Sequence, residues 1–322
     1  MVKTFNIAVD FRHIKTHCDV VSVLSPAFYA KKNDIVYIHL NLNIQLPNFL
    51  YSDHLILVAS SVVHLRSNGI KVIGSATVDS NKGCTQYASR VNFFKIINLN
   101  YKEGFRRWPN KGTFTEITQY DANSVNTVSS AIRKILITKS HVAIEVQRLL
   151  YYCLSEIMDN VVNHSNSPHI GKGSGWCCAQ YFYSSQQIRL IICDTGVGIH
   201  NALTKNENSK FKNLSERESL ERCTENGVTN GEGQGFGLFA TSEFIKENKG
   251  QMIIYSGNHY THIVENTKYT EAGEFWNGTF VFLKINTNVP VDYKKIMPVD
   301  HTLIDDYQFY IESEQEINDD LW

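Results

Sequence analysis

Short apolar runs alternate with helical spacing over the first third of this chain. "NDIVYIHLNL" (residues 33–42) reads as a strand, "LYSDHLILVASSVVHLRSNG" (50–69) as a helix closed by Gly69, and "IKVIGSA" (70–76) as the next strand. Together they predict a βαβ unit. A second helical piece follows in "CTQYASRVNFFKIINL" (84–99). "YKEGFRRWPNKGTF" (101–114), rich in turn formers and basic residues, then breaks the periodicity, which predicts a domain boundary near residues 105–120.

Beyond the boundary, "SVNTVSSAIRKILITK" (124–139) and "VAIEVQRLLYYCLSEIMDNVVNH" (142–164) carry apolar residues three and four apart, predicting two helices packed by one face. "GWCCAQYFY" (175–183) and "QIRLIICD" (187–194) predict an antiparallel hairpin. A polar segment from about 200 to 232 has little strand character, and "GFGLFATSEFIKENKG" (235–250) reads as a helix capped by Gly250. "QMIIYSG" (251–257) and "GTFVFLKI" (278–285) are further strands, with an exposed hairpin extension expected between them over 258–277. Helices followed by an antiparallel sheet predict an α+β two-layer sandwich. The expected organisation is an α/β domain over 1–110, the α+β domain over 111–290 and a tail over 291–322. That tail carries Asp300, Asp305, Asp306, Glu312, Glu314, Glu316, Asp319 and Asp320 with no Lys or Arg after residue 296, and it reads as a solvated end in preference to a docked one.

Charge narrows the classes of partner. Lys plus Arg number 31 against 32 Asp plus Glu, so no global field draws the chain to nucleic acid or to an anionic membrane. The most apolar stretch, "HLILVASSVVHL", is about half the length that crosses a bilayer, and "MVKTFNIAVDFRH" lacks the uninterrupted apolar core of a secretion signal. A cytoplasmic protein is expected. Its seven Cys include no CxxC pair, which fits reduced core thiols better than disulfides or a Cys-rich zinc site.

Three clusters carry candidate chemistry. Glu156, Asn160 and His164 recur every fourth residue, which on a helix makes one polar stripe while Leu154, Ile157, Val161 and Val162 face elsewhere. Asp194 ends an apolar strand and is followed by Gly196 and Gly198, so a carboxylate able to accept from a ligand's amino group stands beside backbone that can come close. Gly231, Gly233, Gly235 and Gly237 run directly into a helix, placing free backbone N–H groups at its positive end, where a polyphosphate is favoured. Taken singly, a solvated face, an Asp-led turn and a flexible loop would explain them. Lys172 in "GKGSG" does not have the GxxxxGK[ST] spacing of a P-loop.

In order, Glu156-x-x-x-Asn160-x-x-x-His164, Asp194-x-Gly196-x-Gly198 and Gly233-x-Gly235-x-Gly237-Leu238 resemble the N, G1 and G2 boxes of the GHKL ATPase superfamily, over roughly residues 120–287. That superfamily includes DNA gyrase B, Hsp90, MutL proteins, histidine kinases and anti-sigma serine kinases. The resemblance implies ATP and Mg²⁺ as cofactors. It implies Asn160 as the metal ligand, Asp194 on the adenine amino group, Gly196 and Gly198 shaping the adenine pocket, and Gly233 to Leu238 closing over the phosphates. Thr279 would help hold adenine through water, and Thr229 in "GVT" would touch a terminal phosphate. The Glu156 position is closest to the gyrase and anti-sigma serine kinase branches. A carboxylate there can take a proton from water or from a hydroxyl, which an amide cannot do. The expected activity is Mg²⁺-dependent ATP hydrolysis coupled to closure of a lid over about 200–237. The alternatives are a Ser/Thr protein kinase of the anti-sigma type, or a nucleotide-responsive binding module with little turnover. The N-terminal run is similar to a STAS-type domain, which implies a protein partner or the chain's own N-terminal domain as the regulated element, with a homodimer as one arrangement.

Overall fold

The computed structural model describes residues 2–44, 49–78, 83–110, 112–139, 144–165, 173–205, 209–229 and 235–296. Its N-terminal unit is a three-stranded parallel sheet in the order β1 (Thr4–Asp10), β2 (Ile35–Asn41), β3 (Lys71–Thr77). Helices α1 (His17–Leu24) and α2 (Ser52–Ser67) make the crossovers, and α3 (Gly83–Arg90) and α4 (Phe93–Ile96) complete the unit. The βαβ expectation for β2, α2 and β3 corresponds to this parallel pairing, with Ile35 opposite Lys71. The preceding β1 and α1 extend the same pattern by one more repeat. Thr16 and Asp19 form a reciprocal capping box that starts α1. At the other end of α2, Ile70 N donates to Leu65 O and Gly69 N to Arg66 O, the paired bonds of a Schellman stop.

The second sheet is antiparallel throughout, in the order β4 (Thr118–Asp121), β5 (Ser174–Phe182), β6 (Gln187–Cys193), β8 (Thr267–Asn286), β7 (Gln251–Val264). Around it stand α5 (Val125–Lys139), α6 (Ile144–His164), α7 (Gly198–Thr204), α8 (Glu216–Arg222) and α9 (Gly237–Glu247). Both faces of this sheet are buried. Leu190, Ile192, Val281 and Leu283 point toward α5, α6 and α9, whereas Ile191, Cys193, Phe280 and Phe282 point into the core shared with α1 and α2. That is why these strands read as apolar runs and not as alternation. The two-layer expectation lacks this third layer, because the helices that supply it come from a distant part of the sequence.

A further difference concerns residues 258–277. Strands β7 and β8 run on as one long hairpin, with a register shift around Ser256 to His259. Thr261, Ile263 and Trp276 are fully buried there, covered by α8 and the N-terminal unit, while the tip over 265–269 is exposed, so the extension is exposed only in part. Packing decides this: Phe28 meets Trp276 edge-on at 5.3 Å. The acidic residues from Asp300 onward, with Lys172, lie outside the described residues.

One polar knot crosses the interface between the unit and the sheet. Asp53, 2 % exposed, accepts from Arg189 of β6 (2.5 Å) and pairs with His17 Nε2 (2.8 Å). Burial alone would push this carboxyl up, but Arg189 and His17 hold it well below the usual carboxylate range. His54 sits beside it, driven down to about 3 by burial and therefore neutral. These three groups are close enough to surround a cation. Arg189 already neutralises the single carboxylate, however, so an added divalent charge would meet repulsion in a buried site.

Candidate functional site: a cavity between α6, the loop after β6 and the start of α9

Helix α6 packs Leu154, Ile157, Met158 and Val161 inward and leaves Glu156 half-buried and Asn160 exposed along one edge. Pairing of Cys193 with Phe280 brings the end of β6 beside Thr279, and Asp194 N donates to Thr279 O at 2.8 Å. The chain then turns through 195–197 into α7. Glu156, Asn160, Asp194, Gly198, Thr229, Gly235, Gly237, Leu238 and Thr279 thereby line one cavity, though they come from five separate stretches of sequence. Gly196 belongs to the same loop but lines a neighbouring cavity. Gly233 lies outside the described residues, and His164 ends α6 with its side chain outside them as well.

Close approach requires glycine at Gly237 and at Gly196. A Cβ on Gly237 would stand 2.4 Å from Glu156 Cβ, so the first turn of α9 can rest on α6 only without a side chain there. Gly196 is pressed against Ser165, whose Cα would be 2.5 Å from an added Cβ. Gly198 adopts φ +77, in the left-handed region.

Electrostatics separate the two carboxylates. Asp194 is 6 % exposed, and burial pushes it up to about 7 in spite of the bond it accepts from Gly196 N (2.7 Å). Glu156 is raised by burial and, secondarily, by the neighbouring Asp159 charge. The buried acceptor shares the cavity with the apolar side chains of Ile199, Leu203 and Val281, and the half-buried Glu156 stands against Gly237 at the N-terminus of α9. That arrangement suits a ligand with a flat amino-bearing ring at one end and negative charge at the other.

Sequence reasoning missed three positioning residues. Ser256 Oγ, 3 % exposed, accepts from Ile199 N (2.9 Å), donates to Gly278 O (2.9 Å) and accepts from Thr279 Oγ1 (3.2 Å), tying α7 to the cavity wall. Gly278 (φ +101) lets β8 pass over Asp194 O, which an added Cβ would approach to 2.4 Å. Asn277 Nδ2 donates to Thr195 O (2.7 Å). Their only sequence signals were a Ser-Gly pair ending one apolar run and an Asn-Gly pair opening another.

Helix α8 is clamped to the β7–β8 hairpin. Glu216 accepts from Asn258 N (2.5 Å) and pairs with His259 Nδ1 (2.7 Å), while Lys268 Nζ donates to Glu221 O and to Thr224 Oγ1 (2.7 Å).

Residues 145–285 match the family described as histidine kinase-, DNA gyrase B- and HSP90-like ATPase. That stretch, somewhat under half of the chain, is therefore a GHKL-type ATPase domain, and it contains every residue of the cavity. The domain supports ATP binding and ATPase or kinase activity of the GHKL type. No curated protein was found to match the chain. Among the described residues no helix is long and apolar enough to cross a membrane.

Proposed function

We propose that the protein binds ATP with Mg²⁺ in this cavity and hydrolyses it, with Glu156 as the general base. The observation that carries the reading is the convergence of Glu156, Asn160, Asp194, Gly237 and Thr279 on one cavity. Asp194 accepts from the adenine amino group, with Thr279 beside it. The first turn of α9 directs backbone N–H groups at the phosphates. Asn160, exposed at the cavity edge, offers a hard amide oxygen, the kind of ligand Mg²⁺ takes while keeping several waters. Bound Mg²⁺ supplies charge neutralisation of the phosphates. Glu156 takes a proton from the attacking water, and its upward shift moves it toward the working pH, where a base is most effective.

Closure of the 200–237 lid belongs to the same proposal, in a narrower form. The anchoring of 216–224 to the hairpin supports a closure in which α8 stays with β7 and β8. The N-terminal unit is the regulated element, since it shares a core with the ATPase sheet.

Incubation with γ-labelled ATP and Mg²⁺, following free phosphate and labelled protein separately, tests this. The expected outcome is free phosphate from the wild type, a drop of about 100-fold or more for Glu156→Gln with ATP binding retained, and lost binding for Asp194→Ala. Label appearing on protein would replace hydrolysis by Ser/Thr kinase activity. Intact nucleotide after long incubation would leave a binding module.

A further inference from the structure

A second cavity, of about 660 Å³, lies on the other side of the 194–198 loop. Asp194 and Gly198 face the first cavity, whereas Thr195, Gly196 and Val197 face the second. Its opposite wall comes from the N-terminal unit: Phe28, Lys31 and Lys32 before β2, and His64 and Asn68 at the end of α2. Two distant parts of the chain therefore build one concavity, and one wall of it is the back of the nucleotide loop.

The frame is preformed. Asn33 N donates to Gly69 O (3.1 Å), which ties the lysine-bearing turn to the end of α2. The Phe28 ring is held edge-on between Trp276 (5.3 Å) and His64 (6.0 Å). Asn277 Nδ2 holds Thr195 O from β8.

The lining has one sign of charge. Lys31 and Lys32 stand exposed at the rim, and their ammonium groups have no hydrogen-bond or ion-pair partner among the described residues. No carboxylate is among the described residues that line the cavity. Burial pushes His64 down to about 4, so its ring contributes hydrogen bonding without charge. Phe28, Leu65 and Ile70 give an apolar floor. Unpaired cations over an apolar floor, with amide and imidazole groups between them, fit a compact anion joined to a flat ring.

We propose that this cavity is an effector site for a small phosphorylated ring compound, with its phosphate on Lys31 and Lys32 and its ring against Phe28, and that occupation shifts nucleotide affinity through the Thr195–Val197 wall. The part of the proposal that concerns nucleotide affinity rests on the ATP-binding reading above. Coupling is reciprocal: an effector that holds the loop in its nucleotide-bound position is itself bound more tightly when nucleotide is present.

Pyridoxal 5′-phosphate is a suitable probe, being an aromatic phosphate ester whose aldehyde condenses with a lysine amine, releasing water. Borohydride then reduces the imine to a stable secondary amine that peptide mapping locates. At equimolar reagent the full-length protein should carry most of its label on Lys31 or Lys32, at least fivefold above any other lysine. Excess inorganic phosphate should suppress that label, and labelled protein should bind ADP with an affinity altered at least threefold. The double variant Lys31→Gln/Lys32→Gln should bind ADP as the wild type does and show no change on treatment. Label spread evenly over surface lysines, or labelled wild type binding ADP unchanged, overturns the proposal. If unlabelled protein does not bind ADP at all, the nucleotide reading fails, and the distribution of label alone decides whether the second site exists.

Discussion

Helices α2 and α6 both pack on the antiparallel sheet, from opposite sides, and they differ in what their sequences leave exposed. Helix α2 is buried almost all round, from Ser52 through Val62 and at Leu65, because it lies between β3 on one side and β5 and β6 on the other. Helix α6 buries one face and keeps Glu156 and Asn160 along an edge. A helix with all its faces covered holds two layers together and has no room for chemistry. One with a free edge can turn a polar stripe into a site. The interface that α2 fills should therefore govern stability, and the edge of α6 should govern turnover.

The strongest way to break that comparison is to remove the α2 layer. A fragment of residues 111–290 would uncover Trp176, Ile191, Phe280 and Phe282, which are buried in the intact chain. It should aggregate, or show no cooperative thermal transition by circular dichroism where the full chain shows one. A fragment that melts cooperatively and binds nucleotide would make α2 an accessory. A smaller effect comes from Asp53→Ala, which strands the Arg189 charge at the interface. It should lower unfolding free energy by about 3–5 kcal/mol in urea titrations, with nucleotide affinity per folded molecule retained.

Asp194 sharpens the other side. Its folded-state pKa, raised to about 7 by burial, lies above the 3.8 of the free group. On raising pH the unfolded chain ionises first, so the cost of keeping Asp194 inside grows between about pH 4 and pH 7 and is complete above pH 7. Asp194→Asn should therefore raise the unfolding free energy of the nucleotide-free protein at pH 8, read by urea titration, by on the order of 1–3 kcal/mol, and the gain should vanish near pH 4. An equal gain at both pH values would assign the effect to packing. The smallest expected change is Ser256→Ala, which leaves Ile199 N without its acceptor. It should cost about 1–2 kcal/mol and raise KM for ATP more than it lowers kcat, because Ser256 touches the loop and Thr279 without reaching the phosphate end.

Much of this was legible in the sequence. Glu156 and Asn160 could be placed on one edge of a helix because helical spacing alone sets that geometry, and Gly237 could be placed at a helix start beside them. Strands β5 and β6 were visible as apolar runs. The runs did not reveal that both sheet faces are buried, since an apolar run is equally consistent with any two coverings. Strand β1 and helix α1 give a weaker signal because polar residues interrupt their apolar positions, and the strand is defined by the parallel pairing of Thr4 with Ile35. Ser256, Asn277 and Gly278 carried no periodic signal, because each acts through one bond or one close approach to a residue far away in the chain.

By itself the sequence determined the periodic elements, the polar stripe of α6 and the glycine-rich entry to α9, since these follow from spacing within one segment. Only the tertiary structure decided which layer covers the second face of the sheet, how deeply Asp194 is buried and what lies behind the 194–198 loop. The reason is that burial and pKa depend on atoms contributed by segments a hundred or more residues apart, as Asp53 and Arg189 are, and no local pattern encodes that meeting.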